Sequence, residues 1–141
     1  MGCTTALLSL GCNINHRVKG VIADCGYSSM KDVMEQLSST WYKVPSFPIV
    51  GIVDLYCKMF AGFSMSETDT TSALKENTIP ILFIHGEEDT FVPCEQARTN
   101  YARTQGPKEL VWIKGAHHAE SIITDPELYH AKLEYFFNTY K

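Results

Sequence analysis

Pro80 is followed by Ile81-Leu82-Phe83-Ile84, an apolar run with no polar residue in it. A strand with one face in water alternates apolar and polar side chains. A continuous run fits a strand covered on both faces, as in a parallel sheet layered between helices. That run requires parallel neighbours and a helical layer on each side. The rest of the chain must supply them.

The flanking segments are suited to that task. Gly2 to Leu10 is small and apolar and stops at Gly11, which reads as a helix ended by a glycine cap. Val18 to Ala23 reads as a short strand leading into Asp24-Cys25-Gly26. Ser29 is placed to cap a helix over Met30 to Leu37. Ser38 to Pro48, with two prolines and the aromatics Trp41, Tyr42 and Phe47, reads as an irregular connection. Ile49 to Phe60 is helical in pattern, with Ile49, Ile52, Val53, Tyr56 and Phe60 on one stripe, and Asp69 to Leu74 starts a shorter helix.

After the central run, Pro93 suits the first position of a helix over Cys94 to Arg103. Lys108 to Ile113 is a third strand, and Gly115 to Ser121 a loop. Asp125-Pro126 opens a final helix as cap and first residue, with Tyr129, Leu133, Phe136, Phe137 and Tyr140 as its apolar stripe. Helices thus alternate with strands, which predicts a three-layer α/β fold with about three parallel strands and right-handed crossovers. Three strands leave edges exposed. The outer edge of strand 18–23 has no predicted partner, and that predicts a homo-oligomer formed along it.

Bulk properties narrow the classes. The net charge is -4 and the basic residues are scattered, which argues against a nucleic-acid footprint. Apolar runs fall short of the roughly 18 residues of a membrane span. Met1 to Leu10 lacks the basic start of a secretory signal, so a cytoplasmic location is expected. Five cysteines without a Cys-x-x-Cys signal neither a zinc site nor a disulfide framework, so free thiols are expected.

Two loops at strand ends carry the ionisable groups. His85-Gly86-Glu87-Glu88-Asp89 follows the second strand, and His117-His118-Ala119-Glu120 follows the third. Chemistry in a parallel sheet gathers at the carboxyl ends of strands. Neighbouring strands would set the two loops side by side, so that an aspartate on one orients a histidine on the other. Asp89 and His118 are 118 − 89 = 29 residues apart, the length of one helix plus one strand. Asp before His is also the order Ser…Asp…His of one hydrolase class.

His85-Gly86-x-x-Asp89-x-x-Val92-Pro93 followed by Gly115-x-x-His118-Ala119-Glu120 resembles the carboxyl-terminal part of the α/β-hydrolase superfamily, and in particular its bacterial esterase- and peptidase-like members. Ala23-Asp24-Cys25-Gly26-Tyr27 is similar to a strand end of those proteins. Met1 to Leu7 is similar to the tail of a Gly-x-Ser-Met-Gly motif and its helix. The resemblance runs through residues 1–141, read as one partial α/β-hydrolase domain with a lid-like insertion over 38–70. It implies hydrolysis of an ester or amide, with Asp89 and His118 as acid and base of a triad. It further implies a nucleophilic serine just before Met1, with Met1 contributing to the oxyanion hole. A small ester or amide is then the expected substrate, with no cofactor and no metal. The alternative expectation is an inert half-fold that persists as a homo-oligomer or needs a partner chain.

Other residues compete for these roles. Asp24, at a strand end, is the second choice of acid, and His117 the second choice of base. His85 reads as structural, and His16 and His130 as surface residues. His117, His118 and Glu120 do not make a metal set, because neighbouring side chains in an extended loop diverge. Cys25, Ser28 and Ser121 lie near strand ends but lack the strand-turn-helix context of a nucleophile. Trp41, Tyr42, Phe47, Tyr56, Phe60 and Phe63 either line an apolar acyl pocket or form the core of the inserted helices.

Overall fold

A computed structural model describes residues 1–12 and 17–140. His16 lies outside the described residues. The elements are α1 (Gly2–Ser9), β1 (Val21–Asp24), α2 (Met30–Thr40), α3 (Ser46–Tyr56), α4 (Thr71–Lys75), β2 (Ile81–Gly86), α5 (Cys94–Arg103), β3 (Lys108–Ile113), α6 (Ser121–Thr124) and α7 (Pro126–Thr139). A π-helical turn at Cys57–Ala61 and a 3-10 turn at Met65–Thr68 join α3 to α4. The sheet is parallel in the order β1-β2-β3, with Val21 opposite Ile81 and Ile81 opposite Lys108.

All of β2 is buried, as its continuous apolar run requires. The twofold alternation of a strand divides that run between two layers. Leu82 and Ile84 meet Val111, Ile113, Tyr129 and Phe136 beneath α7. Ile81 and Phe83 meet Leu7, Ala23 and Leu74 beneath α1 and α4. Burying each such side chain contributes roughly 1.5–3 kcal/mol. A third cluster, Tyr27, Val33, Leu37 and Val92, packs α2 against the carboxyl end of the sheet.

Several boundaries differ from expectation. The first strand covers 21–24 rather than 18–23. Gly20 precedes it with its Cα against the ring of Phe136, where a Cβ would lie 2.7 Å from the ring. Gly11 does not adopt the left-handed cap conformation; α1 ends on right-handed Leu10, and Gly11 instead allows contact with Ala73. Pro93 is an extended N-cap rather than the first helical residue. Part of the expected loop 115–121 is already helical, since Ser121 begins α6.

The helix expected over 49–60 begins at Ser46, bends at Phe47 and changes to the π turn at Cys57. Its predicted stripe is therefore not continuous. Val50 is the buried residue of α3, while Ile52, Tyr56 and Phe60 are exposed. In α7 the buried side chains are Tyr129 and Phe136, with Leu133 and Tyr140 partly covered and Phe137 exposed. Among the described residues no single helix is long and apolar enough to cross a membrane. The pair Ser46–Ala61 and Met65–Lys75, bent by 89°, reaches that length and composition only jointly.

Candidate active site

The loops leaving β2 and β3 are locked together by backbone bonds. Glu87 N–H donates to Ile113 O and Glu88 N–H to Ala116 O, each at 3.0 Å. So close is this approach that a Cβ on Gly86 would lie 2.2 Å from Ala116 O. Only glycine fits there. Gly115, at φ 75, turns the second loop back toward the first.

Across this junction His118 Nδ1 is 2.7 Å from Asp89 Oδ2. The carboxylate accepts, so Nδ1 carries the proton and Nε2 keeps its lone pair. Asp89 is buried, and its other oxygen accepts from Phe91 N at 2.9 Å and Val92 N at 2.8 Å. Three donors thus fix the carboxylate, and its orientation is set before any ligand arrives. His118 is partly exposed, with a side-chain accessibility of 35% against 0% for Asp89. The carboxylate is enclosed and the imidazole is reachable.

The neighbouring histidines have other engagements. His85 is fully buried and donates from Nε2 to Val92 O at 2.8 Å; its Nδ1 has no partner. Its Nε2 also stands 3.5 Å from Asp89 Oδ2. His117 turns outward and donates from Nδ1 to Glu88 O at 2.9 Å, a further clasp between the loops. His130 is exposed on α7.

Asp24 does not meet His118. Its carboxylate accepts from Tyr129 Oη at 3.0 Å, Ser121 Oγ at 3.2 Å and Cys25 Sγ at 3.1 Å. Ser121 and Ser28 are buried, and the Ser28 hydroxyl donates to Gln96 Oε1 at 2.7 Å. Burial pushes the Cys25 thiol up to about 12, and its hydrogen bond to Asp24 adds to the shift. Neutral pH therefore leaves it protonated, without the thiolate a cysteine nucleophile needs. Cys25 Sγ, an Asp89 oxygen and a His118 nitrogen lie within 4.8 Å of one another and are the atoms that could jointly hold a metal. The thiol is already bonded to Asp24 and the Ala119 amide, and the carboxylate to His118 Nδ1 and two backbone amides.

His118 opens onto a mainly apolar cavity of about 220 Å³ shared with Met1, Tyr27, Met30, Val33, Met34, Leu37 and Phe91. Met1, the residue expected at the oxyanion hole, lines the same cavity as His118. The six aromatics considered for an acyl pocket do not line it. Tyr42 instead faces a separate space of about 420 Å³ between α2 and α3, and Phe47 another of about 400 Å³. The difference arises because α2, rather than the inserted segment, covers the strand ends. Trp41 reaches the site indirectly: its ring packs edge-on against Phe91 at 5.7 Å, and Phe91 lies 5.0 Å from the His118 ring. Phe91 carries no sequence signal beyond its place between Asp89 and Val92-Pro93.

Over residues 58–119, a stretch holding both Asp89 and His118, the chain matches the model of a serine hydrolase family (FSH1). YqkD, an uncharacterised protein of Bacillus subtilis, is 27% identical over 138 residues, 98% of this chain and 45% of YqkD. An esterase from Pyrococcus furiosus superposes with a TM-score of 0.68 at 19% identity, over 99% of this chain and 50% of the esterase. An acylaminoacyl peptidase from Pyrococcus horikoshii gives 0.69 at 17%, over 99% of this chain and 23% of the peptidase. An acetyl xylan esterase from Paenibacillus gives 0.68 at 13%, over 99% of this chain and 43% of the enzyme. At these identities the structural likeness is one of fold. The fold is that of the α/β-hydrolases, and the chain forms a part of it. It spans about half the length of the curated relative it matches.

Proposed function

We propose that this chain supplies the acid and base of a serine hydrolase acting on an ester or amide bond. The observation that carries the reading is the 2.7 Å contact between His118 Nδ1 and buried Asp89, which leaves Nε2 as an accessible base beside an apolar cavity. The match to a serine hydrolase family over residues 58–119 supports hydrolase-type chemistry in general. In the proposed mechanism a serine directly upstream of Met1 attacks the carbonyl carbon, and His118 Nε2 takes its proton. Asp89 stabilises the imidazolium, and the proton then passes to the leaving group. The backbone N–H of Met1 helps to hold the oxyanion. The cavity favours an apolar group on the substrate.

The test is hydrolysis of an activated short-chain ester by the 141-residue chain and by the protein extended upstream to include that serine. Turnover is expected from the extended protein, abolished by His118→Ala, and none above background from the shorter chain. Robust turnover by the shorter chain, lost in His118→Ala, would place the nucleophile within these residues and refute the serine assignment. Turnover by the extended protein that survives His118→Ala would refute the base.

A second reading is an inert half-fold held together as a homo-oligomer. It is favoured by β1, whose one strand partner among the described residues is β2. A stably folded monomer in sedimentation at micromolar concentration would eliminate it.

A further inference from the structure

The turn that carries His118 is held by more than Asp89. Two residues beside the acid-base pair, Cys25 and Ala119, adopt left-handed backbone at φ 53 and φ 60 although neither is glycine. Such conformations cost free energy and persist only where surrounding bonds enforce them. Here they are bonded to each other: Ala119 N–H donates to Cys25 Sγ at 3.4 Å. The same thiol donates to Asp24 Oδ1 at 3.1 Å. Asp24 in turn is fixed by the hydroxyls of Ser121 and Tyr129. A polar chain therefore runs from α7 through Tyr129, Asp24 and Cys25 to the amide directly following His118.

We propose that Cys25 is a positioning residue for His118: its thiol couples the Asp24 carboxylate to the Ala119 amide and so holds the imidazole in register with Asp89. This rests on the reading of His118 as the base. The coupling needs a group that donates on one side and accepts on the other, and a protonated thiol does both. Its burial keeps the proton on sulfur, so the donor persists across the neutral range. Asp24 thereby acquires a role without being the triad acid. It anchors the base-bearing turn while Asp89 orients the ring.

The experiment is a long-range proton–nitrogen NMR spectrum of the histidines in the 141-residue chain, which reports the tautomer of His118 without any turnover. In the wild type the Nδ1–H form should predominate. Cys25→Ala removes the thiol's bonds to Asp24, Ala119 and Ser121, and loss of the Ala119 bond should lower the ratio of Nδ1–H to Nε2–H forms about fivefold, the effect of losing one ordinary hydrogen bond. Cys25→Ser keeps a donor and an acceptor and should lie closer to the wild type than to Cys25→Ala. Cys25→Gly also lacks the thiol but adopts positive φ freely, so it guards against loss of folding and should show the same fall. Well-dispersed Cys25→Ala and Cys25→Gly spectra with a wild-type ratio would overturn the positioning role while leaving the base reading intact. A wild-type His118 with no preference for Nδ1–H would sink the base reading itself.

Discussion

Asp89 and His118 lie on loops that leave adjacent parallel strands, and their side chains meet with Nδ1 2.7 Å from Oδ2. The other carboxylate oxygen is already bonded to two backbone amides. In Asp89→Asn the remaining carbonyl oxygen should keep those amides, which turns the NH2 group toward His118. A donor would then face a donor, and His118 should move its proton to Nε2, losing the lone pair a base needs. NMR should show the tautomer inverted with little loss of stability. Asp89→Ala leaves both amides unpaired, and denaturant titration should show a loss of about 3 kcal/mol. A retained Nδ1–H form in Asp89→Asn would refute the orienting role.

Gly86 tests whether the two loops are as closely joined as their hydrogen bonds indicate. Its Cβ would meet the backbone oxygen of Ala116, which no rotamer change can relieve. Gly86→Ala should therefore destabilise the fold by about 3 kcal/mol in urea titration, at the upper end of overpacking costs. The same variant should weaken the His118–Asp89 contact, seen as greater hydrogen exchange at the Glu88 amide. A loss below about 0.5 kcal/mol would mean that the loops can separate freely.

The central strand and the two loops are legible from the order of apolar runs and ionisable residues in the sequence. The apolar run Ile81–Ile84 required cover on both faces, and strand alternation divides it between the two layers seen. Asp89 and His118 were readable because each directly follows a strand, one helix and one strand apart. The bond from Ala119 to Cys25 was not readable, since it depends on left-handed backbone at two non-glycine positions. No side-chain pattern announces that. The face of α3 was misread for a related reason: apolar spacing assumes one straight helix, whereas the chain bends at Phe47 and loosens at Cys57.

Phe91, in the cavity wall, makes two ring contacts, with Trp41 at 5.7 Å and His118 at 5.0 Å. Phe91→Ala should cost about 1–2 kcal/mol, modest because the residue is 40% exposed. A double-mutant cycle with Trp41→Ala isolates the edge-on contact and should return a coupling of about 0.5–1.5 kcal/mol. Strict additivity would mean that the rings are neighbours without interaction.

Alkaline pH should act on the polar chain around Asp24. Tyr129 and Cys25 both donate to that carboxylate, and burial, with Asp24 adding to it, pushes each up to about 12. Burial raises the Cys3 thiol to about 12 as well. All three are neutral acids that the folded state keeps protonated, whereas the unfolded chain ionises them near their ordinary 9.0 for cysteine and 10.0 for tyrosine. Because the folded values are the higher ones, the stabilisation is complete below about pH 9 and declines as pH rises toward 12. The urea midpoint should thus be flat up to pH 9 as far as these groups decide it, then fall continuously. Tyr129→Phe should start lower, having lost its bond to Asp24, yet descend less steeply above pH 10. A wild-type midpoint that held constant to pH 12, or a Tyr129→Phe curve parallel to the wild type, would show that these protons do not stabilise the fold.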